Sequence, residues 1–181
     1  MSLQTWGETL ISAAVDGTAL NTSTTPTSIL PAAAKFTLPA NFFSVPGKVL
    51  RITAQGRIST TTGPPTITFD VRFGSTVVWN GAAFTTVASL TNKSWELMTI
   101  LTCRTIGSAA NLLGIGKCTS SIVVGSTGGN ANTAVLPDSA PAVGNNFDST
   151  AAQVVDLFAT WSASSASNSV QLHNYVLEAL N

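Results

Sequence analysis

The sequence predicts an all-β chain, an antiparallel β-sandwich of the jelly-roll kind with about eight strands. Apolar residues recur at every second position in several runs, the period of a strand with one face buried. Gly and Pro fall between the apolar runs and not inside long ones, which is the punctuation of all-β chains. No segment carries a convincing helical period.

The N-terminal stretch up to Pro46 is the least regular. Leu10 to Val15 is a candidate strand, Thr22 to Thr27 a Thr-rich loop, and Lys35 to Pro39 a short strand or edge segment. A turn is expected near Asn41, Phe42 and Phe43.

Lys48 to Thr60 is the clearest strand. Leu50, Ile52, Ala54, Gly56 and Ile58 take one face, and Arg51, Thr53, Gln55 and Arg57 the other. Pro64 and Pro65 end it, because neither can donate to a ladder. Ile67, Phe69, Val71 and Phe73 then alternate with Thr66, Thr68, Asp70 and Arg72. Gly74 and Ser75 carry the signal of a two-residue hairpin. Thr76 to Trp79 returns, and Asn80 with Gly81 reads as another turn.

Strand character resumes at Phe84 to Leu90 and at Ser94 to Ile106. In the latter, Trp95, Leu97, Leu101 and Cys103 share one parity, while Met98, Ile100 and Ile106 share the other. Apolar side chains on both faces predict a core on one side and a loop or neighbouring subunit on the other. Asn111 to Val124 reads as a strand interrupted by a bulge at Gly114 and Gly116. From Gly125 to Asp148 the pattern dissolves into a long loop, of the kind that often makes contacts. Gln153 to Ala163 places Val155, Leu157, Ala159 and Trp161 on one face. Asn168 to Leu180 closes the chain, with Val170, Leu172 and Val176 on one face and His173, Tyr175, Leu177 and Ala179 on the other.

The 181 residues suit a single domain over 1–181, with an N-terminal arm to about residue 27. Only 9% of residues are charged, against about 25% in ordinary soluble domains. A surface so poor in charge suits life inside an assembly. Eight basic and eight acidic residues give a net charge of +0, with no basic block. Nucleic-acid binding and a polybasic membrane anchor are therefore not expected. No apolar run reaches the length of a transmembrane helix, and the first residues lack the pattern of a signal peptide. Cys103 and Cys118 read as two reduced, buried thiols, although neighbouring strands leave a bridge geometrically conceivable.

The residues offer little chemistry. His173 is the one histidine and reads as a packed or hydrogen-bonded strand residue, with no G-x-S-x-G nucleophile to serve. Two cysteines and one distant histidine do not make a zinc site. Asp138 and Asp148 are too sparse for a calcium loop. Glu96, Asp70 and Asp156 could face a glycosidase cleft, yet each also sits where an outward charge of an alternating strand belongs. Gly114 and Gly116 lack the rest of a phosphate loop. No catalytic, cofactor-binding or metal residue is assigned. Of the tryptophans, Trp95 and Trp161 share parity with the core, while Trp6 and Trp79 are the candidates for contact with another subunit or a sugar.

Several runs resemble virion proteins of tailed bacteriophages: Phe36 to Phe43, Leu50 to Thr60, Phe69 to Gly74, and Asn168 to Asn181. The resemblance spans nearly the whole chain and implies a jelly-roll capsid decoration or minor capsid protein. It further implies a homotrimer seated on the major capsid protein lattice, made in the host cytoplasm and carried on the capsid surface. The arm at 1–27 and the loop at 125–148 would make the lattice contacts. The alternative is a tail- or fibre-associated module that binds host glycans, and an enzyme such as a depolymerase stands third.

Overall fold

A computed structural model of the chain describes residues 7–63, 65–120 and 133–180. The strands are β1 (Gly7–Ser12), β2 (Thr27–Ser28), β3 (Thr37–Leu38), β4 (Val49–Ser59), β5 (Thr66–Phe73), β6 (Thr76–Thr85), β7 (Lys93–Thr105), β8 (Asn111–Ser120), β9 (Thr133–Leu136), β10 (Gln153–Trp161) and β11 (Ser169–Leu180). A 3-10 turn covers Ala32–Ala34. One sheet runs β1-β11-β4-β7-β8-β9 and the other β2-β10-β5-β6, with β3 also paired to β10. Every strand pairing is antiparallel. The chain is thus an antiparallel β-sandwich that crosses repeatedly between its two sheets.

The alternation seen in the sequence builds the core. Leu50, Ile52 and Ala54 of β4 and Leu97 and Leu101 of β7 face inward with no measurable exposure. Ile67, Phe69, Val71 and Phe73 of β5 meet them from the other sheet, beside Val155, Leu157, Ala159 and Trp161 of β10. Each large aliphatic or aromatic side chain buried in this way contributes about 1.5–3 kcal/mol. Phe69 lies against Trp95 with ring centroids 5.1 Å apart, and Phe73 meets Phe147 edge-on at 4.9 Å. The hairpin at Gly74 and Ser75 forms, with Gly74 at φ 58°, the left-handed region that primed turns require.

Four local expectations are corrected. Asn80 and Gly81 do not turn the chain. β6 continues through them, and the β5–β6 register shifts between Thr68 and Asp70, a bulge where Asn80 Oδ1 accepts the amide of Ala82 at 2.7 Å. Gly114 and Gly116 are no bulge, because the β7–β8 register runs unbroken past both. They are glycine because space is taken: a Cβ on Gly114 would lie 2.3 Å from Trp79 Cδ1, and one on Gly116 would lie 2.9 Å from the Thr99 Cβ. Trp79 fills that space and is only 2% exposed, so it offers no surface to a subunit or sugar. Trp6 lies outside the described residues.

The fourth correction is in β11. Its register against β4 shifts between Leu172 and Asn174, so His173 is an extra residue. The bulge flips the parity. Val170 and Leu172 point inward before it, Tyr175 and Leu177 after it, and Val176 turns outward.

Both thiols are free and buried. Cys103 pairs with Leu112 and Cys118 with Leu97, six positions apart along the β7–β8 ladder. At about 3.4 Å per residue no bridge can span that gap.

The stretch expected as an arm does not hang free between Gly7 and Ser28. β1 pairs with the edge of β11. Beyond it the amides of Ala13, Gly17 and Leu20 donate to Tyr175, Leu172 and Val170 of β11 at 2.9–3.0 Å. An unpaired β11 edge would be a template for aggregation, and this segment covers it. Within the expected long loop, Thr133–Leu136 forms β9, and Ala110 and Leu113 bridge to Phe147 and Val143. Residues 125–132 of that loop lie outside the described part. No helix among the described residues is long and apolar enough to cross a membrane.

Candidate functional site

The bulge in β11 shapes one end of the six-stranded sheet's outer face. It exists because residue 56 is glycine. A Cβ there would sit 1.9 Å from the carbonyl oxygen of Gln171, a distance no side chain tolerates. With glycine in place, the β11 backbone closes on β4, and the extra residue turns His173 and Asn174 toward the outer face together.

The cross-strand register does the rest. Asn174 stands opposite Gln55, Gln55 opposite Glu96, and Glu96 opposite Thr119. Four strands thereby place an unbroken row of polar side chains side by side. Arg57 and Ser94 form the next outward pair. Together these residues line an open groove of about 670 Å³, floored by Gly56 and Trp95. The floor is anchored from below, where Trp95 Nε1 donates to the carbonyl of Arg57 at 3.2 Å.

Hydrogen bonds hold the rim side chains in place. Gln55 Nε2 donates to Glu96 Oε2 at 2.6 Å, and Asn174 Nδ2 to Gln55 Oε1 at 3.4 Å. Arg57 Nε donates to His173 Nε2 at 2.9 Å. His173 Nδ1 lies 2.8 Å from Asp16 Oδ1. The imidazole therefore carries its proton on Nδ1 and accepts on Nε2. Its basic nitrogen already serves Arg57, which leaves it badly placed as a general base. Beneath the row, burial and the nearby Glu96 charge push the Cys118 thiol up to about 12, so this sulfur is a neutral packing atom and not a nucleophile.

The three carboxylates singled out in the sequence do not meet. Glu96 is on the outer face of the six-stranded sheet. Asp70 and Asp156 lie on the outer face of the other sheet, across the sandwich. Arg72 binds Asp70 at 2.5 and 3.3 Å, and Lys35 binds Asp156 at 2.7 Å. Ser28 Oγ also donates to Asp156 at 2.7 Å. The Arg72 guanidinium stacks 4.1 Å from the Phe158 ring centroid, and its hydrogen bond to Asp70 raises its already high pKa. Both carboxylates are neutralised in place. Asp148 bonds the amide and hydroxyl of Thr150, which lowers its pKa. No group of three metal-binding side chains occurs among the described residues.

A second open groove of about 600 Å³ runs between β6 and residues 137–145. Its polar lining is uncharged: Thr68, Asn80, Ser139 and Asn145. It lacks the donor–acceptor row of the first.

His173 and Glu96 were legible in the sequence as single residues. Their association with Gln55, Arg57 and Asn174 was not, because it depends on register across four strands. The one local signal was the adjacent polar pair His173 and Asn174 amid apolar alternation.

No family model matches the chain, and no curated protein matches it. Among solved structures, it is similar to the CBM2 module of the evolved Dit of Lactobacillus casei BL23 phage J-1. That likeness has a TM-score of 0.39 and 10% identity, covering 99% of this chain and 98% of that one. It is also similar to peanut lectin, at a TM-score of 0.37 and 6% identity over 98% of each chain. Scores this low transfer neither residues nor ligands.

Proposed function

We propose that this chain is a non-enzymatic, glycan-binding β-sandwich of a tailed-phage virion, positioned with the tail or fibre. One observation carries the reading: the groove in which Gln55, Arg57, Glu96, His173 and Asn174 stand in register. Sugar hydroxyls both donate and accept. The groove presents amides that do both, a carboxylate that accepts and a guanidinium that donates. The strands beneath are rigid, so little ordering is lost on binding. A volume of about 670 Å³ accommodates a short saccharide segment. The phage setting rests on the resemblance of the sequence runs.

The reading as a binder and not a hydrolase rests on the dispersal of the carboxylates. Glycoside hydrolysis needs two of them about 5–10 Å apart across one cleft. Here Glu96 is separated from Asp70 and Asp156 by the full thickness of the sandwich, and Asp16, the other carboxylate beside the groove, is held by His173 Nδ1 at 2.8 Å while Glu96 is held by Gln55.

The test is binding of the purified chain to a panel of bacterial cell-wall polysaccharides. Arg57→Ala and Gln55→Ala are each expected to weaken binding by about tenfold, or about 1.4 kcal/mol. Failure to bind any polysaccharide, or unaltered binding by both variants, would sink the proposal.

The low charge fraction of 9% favours a second reading, capsid decoration on the major capsid protein lattice. A surface with so little charge suits permanent neighbours. Electron cryo-microscopy of the intact particle separates the two by whether the density lies on the head or the tail.

A further inference from the structure

The polar row that begins at Gln55 does not end at Arg57. One outward position further along β4, Ser59 stands opposite Ser169 of β11. Ser59 Oγ accepts the amide of Asn92, the residue before β7, at 3.1 Å. These residues open into another groove, of about 560 Å³, between the loop at 89–92 and the hairpin end at 166–169. Thr61, Ser89, Thr91 and Ser167 add their side chains to its lining. Within the described residues, the hydroxyls of Thr91, Ser167 and Ser169 are bonded to no protein group.

The walls of this groove are fixed. Thr60 is 3% exposed and binds the loop three times. Its amide donates to the Leu90 carbonyl at 3.0 Å, its Oγ1 accepts the Leu90 amide at 3.1 Å, and the same Oγ1 donates to the Val87 carbonyl at 2.6 Å. The fully buried Asn168 holds the other wall, accepting the Thr61 amide and donating to the Ala163 carbonyl, both at 3.0 Å. Ser89 and Asn92 are kept at φ 58° and 49°. Non-glycine residues rarely adopt this left-handed region, and such conformations gather at ligand clamps.

We propose that the two grooves form one continuous site for an extended, uncharged polysaccharide chain lying along the strands, a claim that rests on the glycan reading above. Outward positions on a strand recur about every 7 Å, so Gln55, Arg57 and Ser59 mark a track about 14 Å long. No single sugar ring covers that length, and the site takes an internal stretch of polymer instead of a chain end. At the junction, His173 ties Arg57 toward the Gln55 groove, and Gln171 Nε2 donates to the Gly17 carbonyl at 3.1 Å. Neither side chain is bonded across the track.

The lining selects the class of polymer. Hydroxyls both donate and accept, as those of a sugar do. Leu90 and Ala166 offer small apolar surfaces to sugar C–H groups. Among the described residues no charged side chain lines this second half of the track. Lys93, between Asn92 and Ser94, stands opposite Ile58 and lines neither groove. A polyanion needs cations along its length, whereas a neutral chain does not.

The test compares binding of the full chain to neutral cell-wall polysaccharides, to short oligosaccharides cut from them, and to anionic wall polymers. The intact neutral polymer is expected to bind at least about tenfold more tightly than its short fragments. Thr91→Met and, as a separate variant, Ser167→Met place a long apolar side chain at exposed positions of the second groove. Each should weaken polymer binding by about tenfold, leave short-fragment binding unchanged, and leave circular dichroism unchanged. Gln55→Ala should weaken both polymer and fragment. If one methionine variant misfolds, the other decides. Polymer binding that falls in Gln55→Ala but ignores both methionine variants overturns the continuous site and leaves the glycan reading standing. Equal affinity for fragment and polymer, or preference for an anionic polymer, overturns it too. Binding to no polysaccharide sinks both.

Discussion

Arg57 donates its Nε–H to Nε2 of His173 at 2.9 Å, and so fixes which imidazole nitrogen is bare. The opposite nitrogen faces Asp16 at 2.8 Å. Replacing the imidazole removes the acceptor of Arg57 and the partner of Asp16 at once. His173→Leu is therefore expected to free the Arg57 side chain while the β11 bulge persists. The arginine Nε–H resonance, followed by NMR, should shift in that variant. An Arg57 signal indifferent to the substitution would contradict the arrangement.

Gly56 and Gly114 are both intolerant of a methyl group, for different reasons. At Gly56 the obstacle is backbone, the Gln171 carbonyl, which cannot rotate away. Gly56→Ala should remove the bulge and the groove with it, abolishing polysaccharide binding. At Gly114 the obstacles are the Trp79 and Leu101 side chains, at 2.3 and 2.5 Å. Gly114→Ala should cost about 1–3 kcal/mol by overpacking and leave the groove in place. Urea titration and binding assays on both variants would distinguish the two.

Trp79 and Trp161 are equally buried but differently satisfied. Trp161 Nε1 donates to the Leu20 carbonyl at 3.2 Å, whereas Trp79 Nε1 is buried without a partner. Trp161→Phe removes one of the two hydrogen bonds to the Leu20 carbonyl, which still accepts the Val170 amide, and so should cost about 0.5–1.5 kcal/mol beyond the lost volume. Trp79→Phe loses no hydrogen bond and should cost clearly less. Equal losses in denaturant stability would contradict this contrast.

The Cys118 thiol should set part of the alkaline limit of stability. Burial and the Glu96 charge hold its pKa at about 12, against an ordinary value of 9.0. Burial also raises Tyr175 above its ordinary range. Between these limits the unfolded chain has released the proton while the folded chain keeps it. Stability is thus complete below about pH 9 and falls as pH rises toward 12. Cys118→Val should flatten that slope, with Cys103 and Tyr175, both raised by burial, supplying the remainder. The native thiol should also resist alkylation at pH 8 and react once urea unfolds the chain. Rapid modification of the native protein would refute the burial.

The sandwich was readable because β4, β5 and β10 carry uninterrupted alternation, which only one face assignment satisfies. Trp95 and Trp161 fell into the core by the same parity. The sequence reading failed where one residue changes the count. At His173 the bulge reverses every later assignment in β11, and at Gly81 a bulge imitates a turn. Gly114 and Gly116 misled because their cause is spatial: they make room for Trp79 and Thr99, which arrive from other strands. Trp79 looked exposed because it lies near Asn80 and Gly81, yet β6 runs on past both. The groove could not be read at all, since Gln55, Glu96 and Asn174 become neighbours only through ladder register. The outward aliphatic side chains of β7 were visible, as Met98 and Ile100 already opposed its core parity.

Arg51 and Glu178, partners across β4 and β11, are 127 positions apart in sequence. The central strand β4 thus waits for this neighbour while the 127 positions between them are made. β1, at the sheet edge, waits for the same strand. Loop closure on this scale is slow, and in the interval both strands expose unsatisfied backbone. β11 is the keystone. A chain that stops short of β11 would strand two edges at once and should aggregate, not fold in part.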